Sequence, residues 1–294
     1  MPETKLVLLL RDILDAPEVT TKEWHHNDYY KALQDYYDQI LVVGMQEIFD
    51  VVKEYEFPHA IAGMTKFCGY IRREYGCKSP KIIRQELQVK SDEKLVLVTP
   101  GGGGDGYNLV KTYLQGLAQM PSQQPIKSLI FSGPEMPEAQ RQEFAQTIEQ
   151  MDLPVQISEF SDDIASYMDA ADTVVCMGGY NTICEILSLS KKAVVVPRVN
   201  PVQEQWIRAK SMSDFGLFEA IHPDDLTPNR LMNAVLDQVD VNNNHLPPVA
   251  RLDLNALCRI SDHLLDLVYF APASTLSMKI GSEVGESNLL ELVS

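Results

Sequence analysis

The sequence has 294 residues, of which 45% are hydrophobic and 22% are charged, a composition typical of a soluble globular protein with room for two hydrophobic cores. Acidic residues number 41 against 25 basic ones, so the formal net charge is -16. A surface with this spread negative charge repels nucleic acid and anionic lipid, which excludes a nucleic-acid partner and leaves membrane contact at most peripheral.

The chain opens with a fully apolar strand, Leu6–Leu10, of the kind found in the middle of a parallel sheet. Hydrophobic periodicity then predicts a helical region, a strand, a helix and a strand, at Thr21–Tyr37, Ile40–Val43, Gln46–Tyr55 and Phe67–Ile71. Alone, these units would leave a long apolar sheet edge. We therefore expect residues 1–73 to be the remnant of an amino-terminal, Rossmann-like acceptor domain whose first part is missing.

Residues 74–93 are polar and basic and are expected to form a linker with a short helix. Beyond them, strands and helices alternate, which predicts an α/β domain with a doubly wound parallel sheet over residues 94–248. Its predicted strands are Leu95–Thr99, Ser128–Phe131, Val155–Ile157, Thr173–Cys176, Ala193–Val196 and one near Phe218. Its predicted helices are Tyr107–Ala118, Pro137–Gln150, Ile164–Ala171, Thr182–Leu189, Val202–Phe215 and Pro228–Val239. A carboxyl-terminal helix at 249–270 and a flexible tail at 271–294 follow.

Cysteine usage and the absence of long apolar segments bear on the cellular compartment. The five cysteines are odd in number and contain no C-x-x-C pair, so neither a disulfide framework nor a zinc site is indicated. The run Leu6–Leu10 is too short for a signal-peptide core, and no segment has the length needed to span a bilayer. These features predict a cytoplasmic protein.

The stretch DTVVCMGGYNTICEI carries the strongest functional signal. A β-branched run, Thr173–Cys176, breaks at Gly178 and Gly179 and passes directly into a helical pattern. Unpaired backbone N–H groups and the positive end of the helix dipole meet at such a turn, which suits a phosphate. One turn further, Glu185 would repel a phosphate but can accept both hydroxyls of a ribose. Together the features suggest a nucleotide site.

A simpler interpretation of the same residues is structural. Thr182-x-x-Glu185 also fits a capping box, in which Thr182 accepts a backbone hydrogen bond and Glu185 reaches back to close the start of the helix. Both interpretations stand at this point.

A glycine-rich loop, consisting of Gly101, Gly102, Gly103 and Gly104, lies between the first strand of this domain and its helix. With Gly106 it spells G-x-G-x-x-G, but the acidic residue expected about 20 positions on is lacking, and no Lys-Ser/Thr follows as in a P-loop. The loop is therefore predicted to line a phosphate or sugar with its N–H groups, and a plain tight turn is the alternative.

A third candidate follows the strand Ala193–Val196. Arg198, Glu204 and Gln205 are expected to face the same crevice as Gly178 and Gly179, and Glu204 with Gln205 can bind sugar hydroxyls. A solvated helix face is the alternative.

Together these positions resemble the carboxyl-terminal half of the GT-B glycosyltransferases. They are most similar to family 28, typified by the peptidoglycan N-acetylglucosaminyltransferase, and closer still to a group of bacterial predicted glycosyltransferases. Four stretches carry the resemblance, namely the glycine loop at 101–106, FSDDIASYMDAADTVVC at 160–176, GGYNTICEI at 178–186 and PRVNPVQEQWIRA at 197–209. LLLRDILDAPE and FCGYIRRE resemble the end of the amino-terminal domain. A GT-B-like fold is implied.

The resemblance also implies a UDP-sugar as donor substrate, with neither cofactor nor metal, because helix dipole and N–H groups stabilise the diphosphate leaving group. Glu185 matches the ribose-binding glutamate of the family. The diphosphate turn corresponds to Gly179, Tyr180, Asn181 and Thr182, and the backbone that reads the base edge corresponds to Phe160 and Ser161. Gln205 matches a glutamine that holds the sugar, whereas Glu204 stands where the peptidoglycan enzyme has another glutamine.

One departure from the family concerns catalysis. The amino-terminal domain of the family begins with a glycine-rich turn that carries a histidine, a general-base candidate, and none of the six histidines here lies in such a turn. We therefore expect the catalytic base in a missing region, supplied by an amino-terminal half or a second subunit.

Three functions stay open from the sequence. The first is a glycosyltransferase chain that transfers a hexose from a UDP-sugar to an unknown acceptor and is inactive without the missing part. The second is a non-catalytic nucleotide-sugar-binding or interaction protein. The third, a nicotinamide-dependent oxidoreductase, rests on the G-x-G-x-x-G match alone.

Overall fold

The computed structural model describes residues 4–120, 125–240 and 248–269 of the chain. These residues form two parallel sheets, one of three strands and one of six, surrounded by helices. None of the helices within these ranges is long and apolar enough to cross a membrane. The tail expected at 271–294 lies outside the described residues.

The smaller sheet has the order β1-β2-β3, with β1 at Val7–Arg11, β2 at Gln39–Val43 and β3 at Thr65–Phe67. The helices between these strands are α1 (Pro17–His26), α2 (Tyr29–Tyr36), α3 (Val51–Glu54) and α4 (His59–Met64). β2 is almost fully buried because it lies between the other two strands, whereas β1 forms an edge and leaves Leu9 56% exposed.

Two helix predictions in this region are wrong in detail. The helical region predicted at Thr21–Tyr37 is divided into α1 and α2, because Asp28 adopts a φ of 55°, outside the helical range. The helix predicted at Gln46–Tyr55 is reduced to α3. There the carboxylate of Asp50 accepts hydrogen bonds from two backbone N–H groups of the following turn, at 3.1 and 3.2 Å, and so starts the helix late.

The larger sheet has the order β6-β5-β4-β7-β8-β9, and all of its strand pairs are parallel. Its strands are β4 (Lys94–Thr99), β5 (Ile126–Phe131), β6 (Val155–Ser158), β7 (Thr173–Cys176), β8 (Lys192–Val195) and β9 (Glu219–Ala220). The helices of this part are α5 (Pro80–Glu86), α6 (Tyr107–Gln119), α7 (Glu138–Gln150), α8 (Ile164–Ala170), α9 (Tyr180–Ser188), α10 (Glu204–Asp214), α11 (Pro228–Val239) and α12 (Ala256–Tyr269). The predicted α/β class with a doubly wound sheet is confirmed.

The strand order of this sheet reverses between β4 and β7. From β4 the chain steps outward to β5 and β6, then returns to β7 and steps outward on the other side. The loops after β4 and β7 therefore diverge and leave a crevice at the carboxyl ends of the strands, which is where ligands bind in open α/β sheets. β7 is buried at all four positions, as its β-branched sequence predicts.

The two sheets share one apolar core. Leu41 and Val43 of β2 belong to the same buried cluster as Leu95 and Leu97 of β4. α5, in the segment expected to be a linker, packs against α8 and buries Ile83 in this cluster. The division of the chain into domains at the proposed boundaries stays a prediction.

Candidate functional site

A cavity of about 260 Å³ opens at the switch point between β4 and β7. Several predicted site residues line it, namely Gly101, Gly102, Gly103, Gly179, Thr182, Arg198 and Gln205. They come from the loops after β4, β7 and β8 and from the starts of α9 and α10, because the carboxyl ends of parallel strands meet at one edge. The structure thus brings three separate sequence signals into one site.

The start of α9 forms one wall of the cavity. The helix begins at Tyr180 with Gly179 as its N-cap, which has no side-chain hydrogen bond, and the first bond within the helix runs from the N–H of Ile183 to the carbonyl of Gly179 at 3.0 Å. Before Ile183, the N–H groups of the first turn have no partner inside the helix. Backbone donors and the positive end of the helix dipole are thus free to meet an anion.

The capping-box interpretation of Thr182 and Glu185 is wrong. A capping box requires Thr182 at the N-cap, but the structure places it third in α9, and Glu185 lies in the second turn. The error has a local cause, since Tyr180 and Asn181 were expected to precede the helix and are instead its first residues.

Glu185 is half-buried in the second turn of α9, and it is not among the residues that line the cavity. Burial raises the pKa of its carboxyl from the usual value of 4.5, and the nearby Arg73 guanidinium opposes that shift. Within the described part of the chain, the carboxylate accepts no hydrogen bond. Arg73 instead donates from Nη2 to Oδ1 of Asn181 at 2.6 Å. A half-buried carboxylate without a protein donor has its acceptor capacity available for a ligand.

The glycine loop after β4 packs against the turn after β5. Gly103 has a φ of 92°, and a Cβ there would lie 2.2 Å from the carbonyl oxygen of Ser132. A Cβ on Gly133 would lie 2.3 Å from the carbonyl oxygen of Gly102, which also accepts the N–H of Glu135 at 2.8 Å. Gly103 and Gly133 are therefore required for the close approach of the two turns, which is a structural reason for glycine, and both interpretations of the loop stay predictions.

Glu135 also lines the cavity, and the sequence analysis did not select it as a site residue. Its carboxylate lies over Gly102 and Gly104, where added Cβ atoms would come within 3.1 and 3.3 Å. Its position after β5 could have indicated that it belongs to the site, since the loop after that strand reaches the same edge of the sheet.

The two residues predicted at the base edge lie further along the sheet. Phe160 and Ser161 follow β6, two strands from β4, and do not line the cavity. The Phe160 side chain is 58% exposed, and the Ser161 hydroxyl accepts the N–H of Asp163 at 3.1 Å. Their loop adjoins the turn after β5 through a hydrogen bond from Gly133 N–H to the carbonyl of Glu159 at 2.9 Å.

Arg198 lines the cavity and faces two carboxylates, those of Asp105 and Glu204. Its Nη1 is 3.5 Å from Asp105 Oδ2 and its Nη2 is 3.9 Å from Glu204 Oε1. Nε is buried without a hydrogen-bond partner, and the backbone N–H donates to Oε1 of Gln205 at 3.1 Å. The Gln205 amide nitrogen is left as a donor, and the loosely held guanidinium is a cation at the cavity wall.

The Glu204 carboxylate, by contrast, contacts two arginines. Its Oε2 accepts a hydrogen bond from Nη2 of Arg208, one turn later in α10, at 2.8 Å. The second carboxylate oxygen faces Arg198. Glu204 therefore bridges two arginines, and the role expected for it at the sugar hydroxyls stays a prediction.

Arg208 and Asp12 form a buried ion pair that the sequence analysis missed. Nε and Nη2 of Arg208 donate to the two carboxylate oxygens of Asp12 at 2.8 and 2.9 Å, and the side chains are 0% and 1% exposed. Burial alone would lower the pKa of Arg208, but Asp12 and Glu204 outweigh it and raise the pKa. The available signals were an aspartate directly after an apolar strand and an arginine on the buried face of an amphipathic helix.

Metal ligation has no obvious candidate in the region that the structure describes. Within residues 4–120, 125–240 and 248–269, no group of three or more His, Cys, Asp or Glu side chains could hold a metal ion. Arg198 is a cation in the cavity wall, whereas Arg208 is fully buried and does not line the cavity.

Several solved structures with a similar fold are glycosyltransferases. Superposition on the calicheamicin glycosyltransferase CalG4 gives a TM-score of 0.58 over 92% of this chain and 68% of that one, at 14% identity. Acinetobacter baumannii MurG gives 0.54 over 91% of this chain and 100% of that one, at 16% identity. Anabaena HepE in complex with UDP-glucose gives 0.55 over 90% and 72%, also at 16%. At these identities the likeness concerns the fold, and it confirms the expected GT-B-like architecture.

Curated relatives share sequence with the second half of the chain. The UDP-N-acetylglucosamine--N-acetylmuramyl-(pentapeptide) pyrophosphoryl-undecaprenol N-acetylglucosamine transferase of Haemophilus influenzae strain PittEE is 32% identical over 144 residues. The match spans 49% of this chain and 39% of that enzyme. The Histophilus somni enzyme of the same name is 30% identical over 140 residues, which cover 47% and 38%.

Residues 95–259 match the model of the glycosyltransferase family 28 C-terminal domain. This range contains β4 to β9 apart from Lys94, together with all the residues that line the cavity, and it is more than half of the chain. The resemblance inferred from the four motifs is confirmed, and the chain belongs to glycosyltransferase family 28.

Proposed function

We propose that this chain is a glycosyltransferase that binds a UDP-sugar in the cavity between β4 and β7 and transfers the hexose to an acceptor. One observation carries the proposal: the uncapped start of α9 and the unpaired Glu185 lie one helical turn apart at the switch point of the sheet. A nucleoside diphosphate presents an anion and a diol at that spacing. The name of the Haemophilus relative, which specifies UDP-N-acetylglucosamine, favours UDP as the nucleotide.

In this arrangement, the first turn of α9 and the loop Gly101–Gly104 hold the diphosphate, and Glu185 accepts the ribose hydroxyls. The base extends toward the backbone of Phe160 and Ser161, at the carboxyl end of β6. The amide of Gln205 and the guanidinium of Arg198 meet the sugar end. Negative charge develops on the diphosphate when the glycosidic bond breaks. The N–H groups of the first turn of α9, the dipole of that helix and Arg198 then stabilise this charge.

The open edge of the smaller sheet, at β1, bears on where the acceptor binds. β1 pairs with β2 alone among the described strands, and its outer edge carries the exposed Leu9. An open apolar edge favours pairing with another strand. We propose that an amino-terminal half or a second subunit covers this edge, completes the acceptor domain and supplies the base, and that the chain alone is inactive. We place the reaction in the cytoplasm, with peripheral membrane contact at most.

A second candidate is a nucleotide-sugar-binding protein without transferase activity. It is favoured by the lining of the cavity, because no histidine is among the described residues that form it. The two candidates share the donor site and differ in turnover once an acceptor-side unit is present.

Isothermal titration of the chain with UDP and UDP-sugars tests the donor site. Loss of two hydrogen bonds to the ribose should cost about 1–3 kcal/mol, so Glu185→Ala is expected to bind UDP about 5- to 150-fold more weakly than wild type. Glu149→Ala, which removes an exposed glutamate of α7, is the matched control and should bind normally. If wild type and Glu185→Ala bind UDP with equal affinity, Glu185 does not contact the ribose and the proposed donor site is wrong.

A further inference from the structure

The buried pair of Asp12 and Arg208 connects the two sheets. Asp12 follows β1 of the smaller sheet, and Arg208 belongs to α10 of the larger one. Their two parallel hydrogen bonds, at 2.8 and 2.9 Å, form the bidentate geometry that fixes a guanidinium in orientation as well as in position. Gly44 is close against Asp12, since an added Cβ there would lie 2.6 Å from the Asp12 Cβ. The carboxylate therefore has little freedom to move.

The same guanidinium also contacts the diphosphate turn. Nη1 of Arg208 donates to the carbonyl oxygen of Gly178 at 3.4 Å, and its Cζ lies 5.5 Å from the centre of the Tyr180 ring. Gly178 has a φ of 75°, so the direction of its peptide groups determines how the chain enters α9. A rigid donor on that carbonyl holds the turn in the conformation that presents the first N–H groups to the cavity.

A second connection runs from Arg208 to the cavity wall. Nη2 donates to Glu204 at 2.8 Å, and the other oxygen of Glu204 faces Arg198 at 3.9 Å. Arg198 reaches Asp105 of the glycine loop at 3.5 Å. Arg208 therefore holds in place one of the two carboxylates that face the Arg198 guanidinium.

We infer that Asp12 and Arg208 are positioning residues for the diphosphate of the donor, an assignment that rests on the proposed function. One buried guanidinium orients both the turn at Gly178 and, through Glu204, the Arg198 cation. Its charge is balanced by Asp12 from the smaller sheet, so the amino-terminal part of this chain is a component of the donor site. Neither residue touches the ligand.

The assignment is specific to the diphosphate. The groups expected at the nucleoside, Glu185 and the loop of Phe160 and Ser161, make no hydrogen bond to Asp12 or Arg208 within the described residues. Loss of the pair should therefore weaken binding of UDP and leave binding of uridine unchanged. A general loss of folding would weaken both.

The test compares UDP and uridine binding, by isothermal titration or ligand-observed NMR, for Asp12→Asn and Asp15→Asn. Asp15 is the matched control, because it lies three residues away, accepts the N–H of Gln203 across the same boundary at 2.8 Å, and is outside the ion pair. Asp12→Asn keeps the shape but places an amide donor against Arg208. We expect it to weaken UDP at least tenfold and uridine less than twofold, and Asp15→Asn to change both less than twofold.

Arg208→Lys provides a second variant. A lysine still balances the negative charge of Asp12, but its ammonium group cannot also donate to Gly178 and Glu204 as the planar guanidinium does. It should show the same UDP-specific loss. UDP affinity within twofold of wild type in either folded variant, or equal weakening of UDP and uridine, overturns the assignment. Failure of both variants to fold would also overturn it and make the pair a folding requirement. Failure of the wild type to bind UDP refutes the proposed function instead.

Discussion

The Tyr180 hydroxyl donates a hydrogen bond to the carbonyl oxygen of Val43 over 3.0 Å. Tyr180 is the first residue of α9, and Val43 is the last residue of β2, so the bond connects the start of α9 to the smaller sheet. The ring also lies 6.2 Å from that of Tyr70, and Arg11 and Arg208 lie over it at 5.5 Å. The amino-terminal segment thus directly supports the start of α9, which lines the proposed donor site.

Tyr180→Phe should lower the stability of the protein. The substitution leaves the buried Val43 carbonyl without this donor, which costs about 1–2 kcal/mol, and the Tm is expected to fall by roughly 2–6 °C in a calorimetric scan. Tyr36→Phe, at a site that is 70% exposed, is the control and should leave the Tm unchanged. An unchanged Tm for Tyr180→Phe would show that the hydrogen bond makes no net contribution.

Removing only one member of the Asp12 and Arg208 pair should be strongly destabilising. Arg208→Met leaves a buried carboxylate uncompensated, at a cost of about 3–5 kcal/mol, whereas the double variant with Asp12→Leu removes both charges and should recover a large part of that loss. Urea denaturation measures the two free energies of unfolding. UDP binding should stay weak in the double variant, because the Gly178 carbonyl lacks its donor. Recovery of both stability and UDP affinity would contradict the positioning role.

Gly179→Ala should separate donor binding from folding. An added Cβ at Gly179 meets no protein atom within 4 Å and φ is -57°, so the fold tolerates it and the Tm should change by no more than about 1–2 °C. The methyl group would instead project into the space that the diphosphate needs, and UDP affinity should fall about tenfold or more, equivalent to 1.4 kcal/mol. Gly63→Ala, equally free of contacts but remote in α4, should bind UDP normally. Normal UDP binding by Gly179→Ala would place the diphosphate elsewhere.

Glu185→Gln should stabilise the empty protein near neutral pH. Burial raises the pKa of Glu185, so the folded protein retains this proton at pH values where the unfolded chain has lost it. Stability is therefore lost as pH rises from the usual pKa of 4.5 through the raised one. Glutamine has no charge to bury, so its Tm should exceed that of wild type at pH 7, and the difference should vanish below about pH 4. A Tm difference that grows toward acid would reverse the sign and contradict this account.

Much of the larger sheet could be predicted from the sequence, because β-branched runs such as Thr173–Cys176 are buried on both faces and strands of this kind alternate with amphipathic helices. Helix starts were harder to predict. α3 begins late because Asp50 caps it, and α9 begins early at Tyr180, which removed the capping-box alternative. These starts depend on single side-chain and backbone contacts that periodicity does not report.

The cavity-lining glycines, Arg198 and Gln205 could be predicted because they follow strands whose carboxyl ends converge. The pairing of Asp12 with Arg208 could not be predicted, since it joins positions 196 residues apart and no local pattern connects the two. The bridging role of Glu204 was missed for the same reason, because it depends on Arg208.

The most direct test of the donor site is a crystal structure of the protein with bound UDP. We expect phosphate oxygens within about 3 Å of the backbone N–H groups at the start of α9, and both ribose hydroxyls donating to the carboxylate of Glu185. A nucleotide bound at another edge of the sheet, or a ribose that leaves Glu185 unbound, would contradict the account.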